Sequence, residues 1–229
     1  MDLSRYLDVA TRGRLFFSRQ DRFRDTFEGA LPVGSRTSLA LQPKQIAVEY
    51  PQNGKPSMEV QIMKILEGNR RETFVSCWHM NSGESAAMWD LYGRSGSAIA
   101  LRTSYVKLSE FFPSDVFLGL VNYIDFEKDS FSISNTFNPV MHKRRSFEHE
   151  KEVRAVISNS GKSTKDFEVN YEVTEFGLTI PFDVNSTIDE IHLSPEAKPW
   201  FVQMIQETNA KLGITRPLIK SSLYDAAIF

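Results

Sequence analysis

The apolar residues of this 229-residue chain occur in short runs that glycine, proline and charged residues interrupt. Some runs have the length and β-branched or aromatic content of strands, and others repeat at helical spacing. The two patterns alternate without the regular strand–helix–strand repeat of a parallel α/β fold. The sequence therefore predicts an α+β fold with a mixed or antiparallel sheet and helices packed on it. We expect a single domain over residues 1–229, because this length is ordinary for one domain.

The pattern also predicts the individual elements. A short helix that carries Trp89 and Tyr92 is capped by Ser82 or Ser85, and Gly68 is expected to end the helix before it. The last helix is expected to place Trp200 on its apolar side. The predicted strands are Arg14–Ser18, Thr73–Trp78, Ser97–Arg102, Val116–Asp125, Val153–Ile157, Phe176–Phe182 and Ile188–Leu193. The other predicted helices are Met58–Leu66, Tyr105–Phe112, Pro139–His149 and Ala197–Leu212.

Composition excludes several classes of protein. Lys and Arg number 27 and Asp and Glu 29, a net charge of −2, whereas a dedicated nucleic-acid binder normally has a strong basic excess. Charged residues interrupt the chain too often for a membrane span of about 20 apolar residues. Cys77 is the only cysteine and no secretory leader is visible, so we expect a reduced, cytoplasmic location. From Lys162 to Glu196, eight acidic residues stand against two basic ones, as on a solvated acidic face.

The run from Phe147 to Ile157 is the strongest candidate for chemistry. On a strand, Glu150, Glu152 and Arg154 share one face, and the apolar residues between them share the other. Two carboxylates on one face repel each other, so the pKa of one is expected to rise toward the range of an acid–base catalyst. The other interpretation is an ordinary charged outer strand face.

An arginine-rich loop follows the first strand. Phe23 and Phe27 can anchor this loop while guanidinium groups bind a phosphate or carboxylate. A loop held by an internal pair between Asp25 and an arginine is the alternative. The candidate anion contacts are Arg19, Arg22 and Arg24. Lys143, Arg144 and Arg145 could add to this site or form a solvated helix face.

Two further patterns concern a cysteine and an aromatic pair. Cys77 and His79 lie on the same side of a predicted strand, but a thiol nucleophile or a zinc site needs more partners than the sequence offers. A small buried apolar role is favoured for Cys77. Trp89 and Tyr92 at helical spacing indicate a face of the core, with polar edges that could line a pocket.

These segments together resemble a bacterial domain-of-unknown-function family, number twenty-nine seventy-one. The resemblance is carried by Arg14–Gly29, Phe74–Leu101, Val121–Asp125, Lys143–Ile157 and Ile188–Pro195. It covers nearly the whole chain in the right order. The activity of that family is not established, so the resemblance implies kinship and no reaction.

A looser similarity is to ADP-ribosyltransferase-like domains. The order of residues in such domains is met here by Arg14 or Arg19, then Ser76, then Glu150 or Glu152. This similarity implies that the arginine holds the phosphates of NAD and that the late glutamate holds a ribose hydroxyl or activates the nucleophile. NAD would then be a consumed substrate.

The sequence as a whole favours an enzyme-like domain that binds a phosphate-bearing small molecule or nucleotide. The expected catalytic residues are Glu150 and Glu152, and the expected substrate contacts are Arg19, Arg22, Arg24, Trp89, Tyr92 and Arg154. Metal catalysis is disfavoured because no histidines accompany these carboxylates at ligand spacing. The alternative is a non-catalytic protein-interaction domain, such as a phage-response or toxin-like module. Neither a cofactor nor an oligomeric state follows from the sequence.

Overall fold

The computed structural model of the chain describes residues 1–41, 58–93, 96–159 and 171–227. Its fold is α+β, as the sequence predicts. The described strands are β1 (Arg14–Arg19), β2 (Thr73–His79), β3 (Ile99–Arg102), β4 (Phe117–Leu120), β5 (Asn122–Ile124), β6 (His142–Arg144), β7 (Glu152–Ser158), β8 (Glu172–Val173), β9 (Gly177–Pro181), β10 (Glu190–Leu193) and β11 (Leu218–Lys220). The described α-helices are α1 (Leu3–Arg12), α2 (Val33–Leu41), α3 (Met58–Glu72), α4 (Ala86–Tyr92), α5 (Tyr105–Phe111), α6 (Asn138–Met141), α7 (Val184–Thr187) and α8 (Pro199–Lys211), with 3₁₀-helices at Gln20–Arg22 and Arg145–Glu150.

Six of these strands form the main sheet, in the order β4-β7-β2-β1-β9-β8. Every neighbouring pair in this sheet is antiparallel. A three-stranded sheet has the order β11-β10-β3, and β5 pairs in parallel with β6. The sheets are therefore mixed overall, with an antiparallel main sheet.

The two faces of the main sheet differ in character. Phe74 of β2 lies opposite Ile157 of β7, and both belong to the large hydrophobic core. The next pair, Val75 and Val156, lies on the other face in a small apolar cluster, since successive residues of a strand alternate between faces. Farther along that second face, toward Glu152, the side chains become polar, and they form the site described below.

The first helix is absent from the sequence-based prediction although its end signals are present. The Asp2 carboxylate accepts a hydrogen bond from the Arg5 N–H and caps the N-terminus of α1. Gly13 ends the helix in the left-handed conformation at φ 59°. Tyr6 and Val9 are buried, so α1 packs through its apolar face.

The helix predicted at Pro139–His149 is wrong. Only the four-residue α6 is helical in the α sense; β6 follows it, and a 3₁₀-helix then runs to Glu150. Pairing of β6 with β5 and burial of Lys143 in an ion cluster override the local helix propensity.

Three smaller expectations also fail. The strand predicted at Val116–Asp125 divides at Val121 into β4 and β5, which belong to different sheets. Helix α3 continues through Gly68, because one glycine lowers helix stability by only about 1 kcal/mol. Trp200 is 64% exposed and does not lie on the buried side of α8.

No helix among the described residues is long and apolar enough to cross a membrane. Part of the predicted acidic stretch from Lys162 to Glu196 lies in residues 160–170, outside the described residues.

Candidate functional site

A cluster of five charged side chains lies on the second face of the main sheet. The loop after β1, the segment from α6 to the 3₁₀-helix, and strand β7 all contribute to it. Four of its members are buried and the fifth is nearly so. We call this group the charge cluster; it consists of Glu28, Lys143, Glu150, Glu152 and Arg154.

Arg154 is the centre of the cluster and is 0% exposed. Its Nε donates to a carboxylate oxygen of Glu152 at 2.6 Å, and its two Nη atoms lie 2.7 and 3.0 Å from the two oxygens of Glu28. One Nη also donates to the carbonyl of Val140 at 2.6 Å, and the guanidinium lies 5.5 Å from the centre of the Phe23 ring. The buried guanidinium thus has charged and polar protein partners in place of water, as its burial requires. The same burial leaves no accessible face on Arg154 for the substrate contact that the sequence suggested.

Lys143 joins the three carboxylates of the cluster. Its Nζ lies 2.6 Å from an oxygen of Glu150, 2.6 Å from one of Glu152 and 3.2 Å from one of Glu28. These three contacts match the three N–H donors of an ammonium group. The lysine can reach them because it lies on β6, which the sequence-based prediction had placed inside a helix.

The charges of the cluster do not balance when every group is ionised, because three carboxylates then face two cations. Burial and a hydrogen bond with Glu152 raise the pKa of Glu150 to about 7, against the opposing effect of Lys143. Burial alone would raise the pKa of Glu152 as well, but its hydrogen bond with Glu150 and the cations Arg154 and Lys143 lower it. Near neutral pH the Glu150 carboxyl group therefore exchanges between its protonated and ionised forms. The sequence predicts that the pKa of one of the two carboxyl groups is raised, and the direction of the Glu150 shift agrees.

The backbone around Lys151 directs Glu150 toward the cluster. Glu150 ends a 3₁₀-helix and does not lie on the strand, so the expected common strand face for Glu150, Glu152 and Arg154 is wrong. Lys151 separates the two glutamates with a left-handed φ of 40°. His79 fixes this turn, because its Nδ1 lies 2.6 Å from the Glu150 carbonyl oxygen.

The solvent-exposed surface beside the cluster includes Cys77. Cys77 is opposite Arg154 in the strand pairing, and the residue is solvent-exposed, contrary to the buried role favoured from the sequence. Desolvation by the surrounding protein atoms raises the pKa of its thiol to about 12; the charge of Arg154 opposes this shift, and those of Glu152 and Glu28 add to it. The thiol is protonated at neutral pH, so it is not a thiolate nucleophile.

Two tyrosines border the same region. Tyr92 is half exposed, and burial and then the nearby Glu150 and Cys77 raise the pKa of its hydroxyl. The Tyr123 hydroxyl accepts a hydrogen bond of 2.8 Å from the Glu152 N–H, and burial raises its pKa to about 12. Hereafter the Cys77 recess means the surface region around Cys77, Tyr92 and Glu150, where the charges of Glu150 and Cys77 act on Tyr92.

The early loop and the late acidic–basic strand do converge, but through acids of the loop. Glu28 enters the charge cluster, and Asp25 forms two hydrogen bonds with Arg144, at 2.9 and 3.1 Å. The Arg144 guanidinium lies 4.4 Å from the centre of the Phe27 ring. The alternative of an internal pair between Asp25 and an arginine of the loop is therefore not observed, because the partner of Asp25 is Arg144, outside the loop.

The three loop arginines lie elsewhere. Arg19 is paired with Asp21 at 2.6 Å. Arg22 lies 5.4 Å from the centre of the Phe176 ring, and Arg24 is exposed. Within the described parts of the chain, none of these guanidiniums contacts the charge cluster.

Trp89 and Tyr92 border different regions of the surface. Trp89 is 8% exposed, and its Nε1 donates to Glu84 at 2.8 Å. It lines a cleft of about 730 Å³ that also includes His149 and Tyr224. Tyr92 instead borders the Cys77 recess.

Sequence reasoning missed Glu28, Tyr123 and the central role of Lys143. Glu28 closes a loop in which the arginines were the more prominent residues, and Lys143 stands beside two other cations that share its sequence signal. Among the residues that the structure describes, no group of His, Cys, Asp and Glu side chains has the arrangement of a metal site.

Comparison of the chain with protein-family models, with curated proteins and with solved structures finds no match. The resemblance to the bacterial family of unknown function therefore stays a prediction.

Proposed function

We propose that the chain is an enzyme that transfers protons to and from a small polar molecule bound in the Cys77 recess. Glu150 is the catalytic acid–base group. The observation that carries this proposal is the position of Glu150 at the edge of the charge cluster. Its side chain is 14% exposed, more than that of any other member. A pKa of about 7 makes that carboxyl able to give and take a proton at neutral pH.

Glu152, the second expected catalytic residue, has a different role in this proposal. Lys143 and Arg154 hold its two carboxylate oxygens at 2.6 Å each. It remains ionised and accepts the hydrogen bond of the proton held by Glu150. Glu152 is thus a positioning residue that keeps Glu150 protonated until a substrate takes the proton.

A phosphate-bearing or nucleotide ligand, including NAD in an ADP-ribosyltransferase-like reaction, requires cations with accessible surface. Arg22 and Arg24 are the exposed candidates from the early loop. A ligand of this class would therefore have to extend from the Cys77 recess to that loop.

A non-catalytic interaction domain is the second candidate. Strand β4 is an edge of the main sheet, and its Phe117 and Leu120 are at least half exposed. Exposed apolar edge strands can pair with a partner chain. Under this alternative Glu150 has no effect on the activity.

The test begins with a thermal-shift panel of amines, sugars, nucleotides and NAD, since a ligand of the native state raises the melting temperature. Any stabilising compound is then assayed for turnover with the wild-type chain, Glu150→Gln and Glu148→Gln. Glu148 is an exposed carboxylate of the same 3₁₀-helix and is the matched control. We expect Glu150→Gln to slow turnover about 100-fold or more and Glu148→Gln to leave it unchanged. Wild-type turnover by Glu150→Gln would exclude the proposed role.

A further inference from the structure

A second candidate site is the cleft lined by Trp89. Its volume of about 730 Å³ is within the range of small-molecule sites. Helix α4, the turn after β10, the 3₁₀-helix before β7 and the C-terminal segment form its walls. The lining residues that matter here are Trp89, Asp90, His149, Glu196 and Tyr224.

Two short connections join this cleft to the catalytic group. His149 immediately precedes Glu150 on the 3₁₀-helix. Trp89 lies three residues before Tyr92 on α4, so the two side chains are neighbours on one side of that helix. A molecule held in the cleft is thus next to the Cys77 recess.

The charges of the cleft favour a cation. Its described lining residues include the acidic side chains of Asp90 and Glu196 and neither a lysine nor an arginine. The Tyr224 hydroxyl lies 3.4 Å from one oxygen of Asp90, which leaves the other oxygen available. The rings of Trp89 and Tyr224 add negative electrostatic potential at their faces.

The Cys77 recess has the same preference. Its Cys77 and Tyr92 groups are neutral, and the charge cluster beneath it is neutral or negative according to the proton on Glu150. A phosphate bound in either hollow would meet carboxylates and no free cation among the described lining residues. A positively charged molecule would be attracted in both.

We propose that the cleft binds a guanidinium or primary ammonium group of the substrate and so presents the adjoining part of the molecule to Glu150. The statement about presentation rests on the proposed function. The statement about cation binding does not depend on it. The inferred substrate class is an organic cation, in place of the phosphate-bearing molecule favoured by the sequence.

The experiment is a calorimetric titration of the whole chain with butylguanidinium and with butylurea, which has a similar shape and no charge. Asp90→Asn, Glu196→Gln and the double variant remove the carboxylates from the cleft. Asp8→Asn, on the exposed surface of α1, is the control for general charge effects. We expect butylguanidinium to bind at least about tenfold more tightly than butylurea. Each cleft variant should weaken that binding about fivefold and the double variant about 25-fold, whereas Asp8→Asn leaves it unchanged.

Equal affinity for the two probes, or an unchanged affinity in the double variant, would overturn the inference. Absence of binding up to about 100 mM butylguanidinium would do the same. Glu150→Gln is titrated in parallel and should retain binding. If the cation binds but Glu150→Gln turns over normally, the cleft assignment stands and the acid–base function falls. If Glu150→Gln is inactive but the cleft variants bind butylguanidinium as tightly as the wild type, the acid–base function stands and the cleft assignment falls.

Discussion

Replacement of Glu28 by glutamine removes one charge from the charge cluster with almost no change of shape. The wild-type carboxylate lies 2.7 and 3.0 Å from the Arg154 guanidinium and 3.2 Å from the Lys143 ammonium. Arg154 is fully buried, so it cannot turn to water for a replacement partner. The amide oxygen of glutamine keeps one of these contacts, and its NH₂ group faces a cation in place of the other.

The expected loss of stability follows from these contacts. Removal of one partner from a buried ion pair costs about 3–5 kcal/mol. The retained amide oxygen, and the easier ionisation of Glu150 once a competing carboxylate is gone, both reduce the cost. We expect Glu28→Gln to lower the free energy of unfolding by about 2–3 kcal/mol, or the melting temperature by about 4–12 °C for a chain of this size.

The measurement is urea unfolding followed by circular dichroism at pH 7, with Glu148→Gln as the control. The exposed control should lie within about 0.5 kcal/mol of the wild type. If Glu28→Gln is as stable as that control, the cluster does not depend on Glu28. That result would contradict the contacts between the early loop and β7.

Three further predictions concern pH, aromatic packing and backbone clearance. The pKa of Glu150 is raised to about 7, so the folded chain binds its proton more tightly than the unfolded chain. Stability should fall by about 1–3 kcal/mol as the pH rises from about 4.5 to about 7, and urea unfolding of Glu150→Gln should lack this fall. Trp89→Ala should cost about 3–5 kcal/mol and Trp200→Ala less than about 1, because only Trp89 is buried; equal melting temperatures would refute this difference. Gly177→Ala should destabilise the fold by about 3 kcal/mol or more, because a Cβ at this position would lie 2.1 Å from a backbone oxygen. Gly68→Ala should stabilise it by about 0.5–1 kcal/mol, because the space around Gly68 is open. Thermal unfolding measures both effects.

The fold class and several of the strands were accessible to sequence reasoning because they depend on local patterns. The run Thr73–Trp78 has the β-branched and aromatic content of a strand, and β2 occupies it with one further residue. The cap at Ser85 is likewise a local signal, and the structure shows its side chain accepting from the Met88 N–H. Such signals do not require knowledge of distant partners.

The residues of the charge cluster could not be predicted in full, because their roles depend on partners that are distant in the sequence. Whether Lys143 is a solvated cation or a buried one depends on strand β6, and β6 exists only through its pairing with β5. Glu28 lies 126 residues from Arg154 along the chain, and nothing in the loop distinguishes it from its neighbours. The repulsion between Glu150 and Glu152 could be predicted because it needs only their proximity.

The composition of the second sheet face is consistent with the proposed acid–base function. The opposite face of β2 and β7 shows that this chain can cover the same strands with apolar side chains, and replacement of buried ion clusters by apolar residues is often neutral or stabilising. At the charge cluster the fold instead keeps a carboxyl group with a raised pKa, a left-handed backbone conformation at Lys151 and a solvent-exposed cysteine. Each of the first two features carries a free-energy cost, and both act on the position and proton of Glu150. The proposed acid–base role of Glu150 would use both features, whereas a purely structural ion pair would gain nothing from them.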